Sequence, residues 1–347
     1  MRRAPRLRVI VSLSVVLLVP LFLATWLIPP HNGRITYTRF ELFVVLLLIA
    51  TLTTFFVAGV REGARLLVGA LRPARRLDAA GRGRAWANVA AAGCIGLAGI
   101  YARFVEPRWI EVVHHEIAVD GVKNRVRLAV FSDLHSDARF DLDRDVVDPI
   151  NAADPDLVLF LGDALNDASR AEAFRAALGE MQAKVAKLAI RGNWDVWYWS
   201  GIDLFRGTGF RELVADTVRL EVNGTPMTIV GHGWEDAWVP NAVVPRAMPD
   251  GVTLMLYHGH DYAEVAAKRG VELYLCGDTH GGQVALPFLG PLFAIGRFGL
   301  RYARGHYRVG PMEMYVTRGI GVEAGFPFRF AARPEISIID LVPPAKP

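Results

Sequence analysis

The hydrophobic positions fall into two regimes along the chain. Up to about residue 104 they form long, nearly unbroken runs. "VIVSLSVVLLVPLFLATWLI" (9–28) and "FELFVVLLLIATLTTFFVAGV" (40–60) are each about 20 apolar residues, enough for a helix to cross a bilayer core of about 30 Å. A third run, "AWANVAAAGCIGLAGIYARF" (85–104), is built from Ala and Gly rather than Leu and carries Asn88, so it reads either as a third span or as a buried or interfacial helix. Its small residues suit close helix packing in lipid. From about 125 the runs shorten to strand length and alternate with helical stretches, the pattern of an α/β layered domain.

In that second regime, strands are predicted at 125–131, 156–162 and 186–192, and again in "TPMTIVG", "VTLMLYH", "VELYLCG", "MEMYVTRG" and "PEISIIDL". Helices are predicted at 142–153, at 169–183 and in "YAEVAAKRG". Pro107 in "VEPRW" breaks any helix at the seam. The predicted organisation is therefore a membrane region over 1–104, a linker over 105–124 and an α/β domain over 125–347.

Composition agrees with this division. The 347 residues are 52% hydrophobic and 21% charged, more apolar than one soluble domain needs. The net charge of +4 calls for no nucleic-acid partner, because the arginines cluster beside the apolar runs. Arg2, Arg3, Arg6 and Arg8 precede the first run, and 61–84 holds seven more, whereas the connection between the first two runs has Arg34 and Arg39. Positive loops stay cytoplasmic. The expectation is a multi-pass protein of the bacterial inner membrane, with the α/β domain extracytoplasmic if the third run spans and cytoplasmic if it does not. No small-residue cleavage site follows the first run, which argues against a removed signal peptide. Two cysteines, Cys94 and Cys276, provide no disulfide framework.

The polar residues that change this picture stand at the ends of predicted strands. They are Asp133 and His135 in "FSDLH", Asp163 in "LFLGD", Asn193 in "IRGNWD", His258 in "LYHGHD", and Asp278 with His280 in "LCGDTH". Any one of these is ordinary turn or cap chemistry. Together they are not, because turns do not call for histidine, and ligands in α/β sheets gather at the carboxyl ends of strands.

The order D-x-H, G-D, G-N-x-D, H, G-D-x-H over 133–280 resembles that of the calcineurin-like metallophosphoesterases. "FSDLH", "THGGQ", "YVTRGIG" and "RPEI" are similar to the bacterial membrane-anchored branch. The resemblance implies a four-layer α/β/β/α sandwich with two facing mixed sheets. It also implies two divalent cations and hydrolysis of a phosphodiester or pyrophosphate by a metal-activated water. Carried over by position, one cation takes Asp133, His135, Asp163 and His280. The other takes Asp163, Asn193, His258 and Asp278, with Asp163 bridging.

Two positions depart from the family. Asp278 replaces a histidine and raises the ligand carboxylates to three, which favours Mn or Fe over Zn, though Zn remains possible. Trp194 replaces the histidine that in the family contacts phosphate and assists the leaving group, and indole has no proton to give. His260 is the candidate replacement acid, against the simpler reading of a solvated loop residue. His232, His114 and His115 match no ligand spacing. Trp194 and Asp195 are expected beside the ligands or in the substrate wall. The run "WDVWYWSG" (194–201) reads as core packing or as an apolar wall, and 296–310, with its arginines and aromatics, as a solvated face or a surface for phosphorylated lipid headgroups. Two functions compete: a membrane-anchored phosphoesterase, with a lipid-linked or envelope-precursor substrate, and a sensor or scaffold that binds metal without turnover.

Overall fold

The computed structural model of the protein describes residues 39–72, 77–234 and 251–345. The first predicted span, 9–28, lies outside them. The chain divides into two compact units between Arg103 and Phe104.

In the first unit, α1 (Arg39–Leu71) packs on α2 (Ala79–Ile100). Two stretches among the described residues, Leu46–Leu71 and Ala79–Arg108, are long and apolar enough to cross a membrane. Much of 61–84, expected as a loop, is helical. α1 continues past residue 60 because Glu62 accepts from Arg65 at 3.0 Å and from Arg61 at 3.1 Å, which pairs the charges along the helix. α2 starts before 85 because Asp78 caps it, accepting from the Gly81 N–H at 2.7 Å. A Cβ on Gly59 would overlap Ala92 and the Asn88 carbonyl, so the two helices approach through small residues.

In the second unit, strand alternation decides the layers, since successive side chains of a strand face opposite sides. One six-stranded sheet has the order β1 (Glu111–Ala118), β14 (Glu335–Val342), β2 (Val126–Phe131), β3 (Leu157–Phe160), β4 (Ala186–Ala189) and β5 (Arg211–Glu212). The other has the order β12 (Gly305–Val309), β13 (Met312–Val316), β9 (Leu273–Cys276), β8 (Val252–Tyr257), β7 (Thr225–His232) and β6 (Asp216–Val222). A small hairpin of β10 (Ala285–Leu286) and β11 (Gly290–Pro291) stands apart. Both large sheets are mixed: β2, β3 and β4 run parallel, as do β7, β8, β9 and β13. β14 pairs antiparallel with β2, and β6 and β12 are antiparallel edges.

Val126, Leu128 and Val130 meet Leu254, Leu256, Leu273 and Leu275 in a dry core between the sheets. The alternate residues Ala129, Phe131, Val158 and Phe160 face outward onto α3 (Val147–Ala152) and α4 (Ala171–Glu180). On the far side Met255, Tyr257 and Tyr274 pack against α6 (Ala263–Lys268). The result is the four-layer α/β/β/α arrangement of the metallophosphoesterase fold.

Three elements differ from the sequence reading. Segment 105–124 is not simply a linker: it carries β1, which pairs parallel with β14 from Glu111↔Glu335 to Ala118↔Val342. Its alternating half-exposed face disguises it as a connection. The helix expected over 142–153 begins only at Val147, since Pro149 is tolerated only in a first turn. The aromatic run is a helix, α5 (Asn193–Trp199), because Asp195 reaches back to accept the Gly192 N–H at 2.9 Å and caps its start.

Candidate active site

The site is built from the turns that follow β2, β3, β4, β8 and β9. Asp133, His135, Asp163, Asp278 and His280 all have positive φ, from 41° to 68°. Non-glycine residues rarely adopt this region, and they cluster there where a site holds them. Two glycines make the approach possible. A Cβ on Gly192 would overlap Asp163 Oδ1, and one on Gly277 would overlap Ser132 Oγ. Ser132 Oγ in turn donates to Asp133 Oδ2 at 2.5 Å.

Six of the seven predicted ligands converge. His258 Nε2 lies 3.3 Å from Asp163 Oδ2, 3.7 Å from Asp133 Oδ1 and 3.6 Å from Asp278 Oδ1. His135 Nε2 lies 3.6 Å from Asp163 Oδ2, and His280 Nε2 lies 3.5 Å from Asp133 Oδ1. Among the described residues two tight groups fit a cation, Asp133, His135, His280 and Asp133, Asp163, His258, so Asp133 belongs to both and Asp163 stands beside His135 as well as His258. Asn193, the seventh, is buried at the start of α5, next to the Trp194 N–H that donates to Asp163 Oδ1 at 2.9 Å.

The imidazoles are turned by their outer nitrogens. His258 Nδ1 donates to the Leu161 carbonyl at 2.7 Å and His135 Nδ1 to Asn166 Oδ1 at 3.0 Å. His280 bonds to the Gly321 carbonyl, the acceptor that it shares with Arg329. Arg329 Nη2 also stands 3.3 Å from His280 Nδ1. Each ring turns Nε2 towards the pocket carboxylates, with its other nitrogen free to be oriented from outside, as is usual for metal-binding histidines. The His135 and His280 Nε2 atoms lie 3.2 Å apart, close enough for one cation to take a lone pair from each. Asp133 Oδ1, Asn193 Oδ1, His258 Nε2 and Asp278 Oδ2 are buried without hydrogen-bond partners. A set of carboxylate, amide and imidazole atoms with unused lone pairs fits divalent transition-metal ions.

Electrostatics point the same way. Burial pushes Asp278 up to about 8; His258 opposes it, and Asp261, Asp133 and Asp163 add to it. Burial also raises Asp133. Burial acts upward on Asp163 too, but His258, His135 and the Trp194 N–H outweigh it and hold Asp163 below the ordinary carboxylate range. Burial draws His258 down, yet Asp163, Asp133 and Asp278 hold it well above an ordinary histidine. Burial lowers His135 and His280. His258 is thus the one of the three histidines held in its charged form, and divalent ions would displace its Nε2 proton.

Asp195, expected beside the ligands, is a buried clamp. Its carboxylate accepts the N–H groups of Asp163 and Ala164 at 2.8 Å and of Gly192 at 2.9 Å, tying the turn after β3 to the turn after β4. Burial and the charge of Asp163 push it up to about 7. Asp195→Ala strands three buried donors and is expected to cost roughly 3 kcal/mol in urea unfolding. An unchanged midpoint would show that the clamp carries no stability.

Trp194 is half-buried, its ring edge-on to His135 at 5.1 Å and beside Tyr198 at 5.0 Å. Trp197 meets Trp234 at 6.3 Å, and Trp234 meets His258 at 6.0 Å. The aromatic run therefore forms a wall along the ligands. His260 is fully buried rather than solvated, packed at Gly296 with Phe298 and Tyr302 5.9 and 6.1 Å away, and burial lowers its pKa. His232 ends β7, buried, and His115 lies on β1 against Tyr315 at 4.8 Å.

Sequence reasoning missed four residues here. Asn166 orients His135 and stands three after Asp163, a spacing that signals it. Trp234 completes the wall. Arg329 is completely buried and, through burial, lowered to about 9; an arginine amid apolar residues in "FPFRFAA" is its signal. Glu323 has its carboxyl pushed up to about 7 by burial and by the charges of Asp163 and Asp133, and no motif marks it.

Residues 126–282 match the calcineurin-like phosphoesterase family. The uncharacterized metallophosphoesterase YkuE of Bacillus subtilis (strain 168) is 31% identical over 265 residues, covering 70% of this chain and 88% of that protein. Phosphodiesterase YaeI of Escherichia coli (strain K12) is 30% identical over 264 residues, covering 70% of this chain and 92% of that protein. An uncharacterized metallophosphoesterase of Helicobacter pylori (strain ATCC 700392 / 26695) is 22% identical over 263 residues, covering 71% and 66%.

Proposed function

The chain belongs to the calcineurin-like metallophosphoesterase family as a metal-dependent phosphoester hydrolase, and from that premise we propose that its pocket cleaves a phosphodiester or pyrophosphate bond. The observation that carries this reading is the set of three imidazoles, each turned by its outer nitrogen, around buried carboxylates with unused lone pairs. Asp133, His135, Asp163 and His280 would hold one divalent ion, and Asp163, Asn193, His258 and Asp278 the other. When bound, such ions supply positive charge to the phosphoryl oxygens and acidify water at the site. Three carboxylates among seven ligands favour Mn or Fe.

The protein's own groups do the rest. Leu161, Asn166 and Gly321 fix the imidazoles, Asp195 fixes the turn that carries Asp163, and Trp194 and Trp234 exclude water from one side. Trp194 cannot protonate a leaving oxygen, which favours substrates whose leaving group departs as a stable anion, such as a phosphate. YaeI is named a phosphodiesterase, and a diester reading extends that to this chain. We further place the protein in a bilayer through α1, α2 and the run at 9–28, with the catalytic unit extracytoplasmic and the substrate lipid-linked.

The test uses the full-length chain in detergent, loaded with Mn. A nitrophenyl phosphodiester and a pyrophosphate diester are expected to turn over faster than the phosphomonoester, and chelation to abolish turnover. Two bound ions without turnover on any phosphoester would establish the second reading, a metal-binding sensor or scaffold, which Trp194 favours.

A further inference from the structure

The β10–β11 hairpin has two rungs, Ala285↔Pro291 and Leu286↔Gly290, and turns through Phe288 and Leu289. Phe288 is 106% exposed and Leu289 78%, and Phe288 sits at φ 68°, where a bulky side chain is strained. A turn held this way aims two large apolar groups away from the fold. Soluble surfaces scatter such residues singly, whereas these two are adjacent, and a third exposed one, Phe326, accepts through its carbonyl from the Gln283 side chain ahead of the hairpin. Phe330 N donates to the Gln283 carbonyl at 3.0 Å and Ala285 N to the Phe330 carbonyl at 2.7 Å, so the segment carrying Phe326 runs beside the hairpin's base. That base starts three residues after His280, and Gly321, on the same segment as Phe326, lies against His135.

Charge identifies the occupant. From Thr279 to Met312 the sequence has no Asp or Glu but four arginines, Arg297, Arg301, Arg304 and Arg308, of which Arg301 pairs with Glu264 and Arg308 with Glu313, and from Ala324 to Pro334 it again has no acid, with Arg333 at the surface beside Glu111 and Arg329 buried. Arg297 is exposed and Arg308 is 72% exposed at its side chain. Apolar groups that project from an aromatic stretch with arginines such as the exposed Arg297 match an anionic bilayer interface, where rings and alkyl chains enter the acyl boundary and arginines meet phosphates. We propose that the Phe288–Leu289 hairpin enters the surface of a lipid bilayer and holds the mouth of the site at the headgroup level. This rests on the membrane-anchored part of the function proposed above.

The test is carried out on the full chain with Cys94→Ala, which leaves the buried Cys276. Phe288→Cys, Val214→Cys or Val57→Cys is labelled with an environment-sensitive fluorophore. Val214 is an exposed residue just before β6, at the edge of its sheet opposite β12, and Val57 lies on α1. The labelled protein is placed in phosphatidylcholine vesicles with phosphatidylglycerol and a spin-labelled lipid, labelled near the headgroup for residues 288 and 214 and near the end of the acyl chain for residue 57, which lies near the middle of the 46–71 span. Residue 288 is expected to shift to the blue and to be quenched several-fold more than residue 214, with quenching that weakens when phosphatidylglycerol is omitted. Quenching at 288 no greater than at 214 overturns the proposal. If 57 is quenched and 288 is not, anchoring stands and the hairpin proposal fails; if 288 is quenched and 57 is not, the reverse holds; if neither is quenched, both fail.

Discussion

Asp163→Ala is expected to lower turnover of an aryl phosphodiester by about 10³-fold or more, roughly 4 kcal/mol of transition-state stabilisation, and to reduce the bound metal. Asp163 Oδ2 stands 3.6 Å from His135 Nε2 and 3.3 Å from His258 Nε2, so one carboxylate serves imidazoles from both predicted ligand sets. Its pKa is held below the ordinary range, unlike those of Asp133 and Asp278, so it is the carboxylate of the three that is most readily ionised. Removing Asp163 frees the Trp194 N–H and takes away the charge that faces His258 and His135, so the unfolding midpoint of the variant is measured beside its turnover. The informative companion is Asp163→Asn, which keeps an acceptor for Trp194 but not the charge. Equal loss in both variants, with metal content measured alongside, assigns the effect to the charge. Recovery in Asp163→Asn would mean that the residue acts by holding the turn.

How much of this was legible in the sequence depends on whether a property is local. The strands around the site were readable because buried central strands such as "DLVLFLG" are continuous apolar runs between turn residues, and the ligands stand at their ends. β1 was not readable, because "EVVHHEIA" sets Val beside Val and His beside His instead of alternating, and its partner β14 lies more than two hundred residues away. α5 was hidden because its capping depends on Asp195 reaching back to Gly192, while its aromatic content resembles a strand. The fate of His260 is a matter of long-range packing: Gly296, Phe298 and Tyr302 enclose it, and nothing in "LYHGHD" reports them. Arg329 and Glu323 were missed for the same reason, since their relation to the ligands is purely tertiary.

Trp194→His is expected to raise kcat/KM on diesters with poor, alkyl-type leaving groups by at least about 10²-fold, the lower end of what a positioned general acid contributes. The gain should shrink toward nothing on p-nitrophenyl esters, which leave without a proton. The backbone at 194 is already fixed at the pocket by its bond to Asp163, and its side chain already touches the His135 ring, so an imidazole there needs no rearrangement to face the substrate. His260 does not substitute for it, because it is enclosed by aromatics and neutralised by burial; Glu323, pushed up to about 7 by burial first and then by Asp163 and Asp133, would lose the second contribution beside divalent cations. The native protein should consequently show a steep dependence of rate on leaving-group acidity, and the variant a shallow one. The measurement is one series of aryl and alkyl phosphodiesters assayed with both proteins. If the ratio of variant to native rates stays flat across that series, the native site already has a leaving-group acid, and the preference for pyrophosphate-like substrates loses its basis.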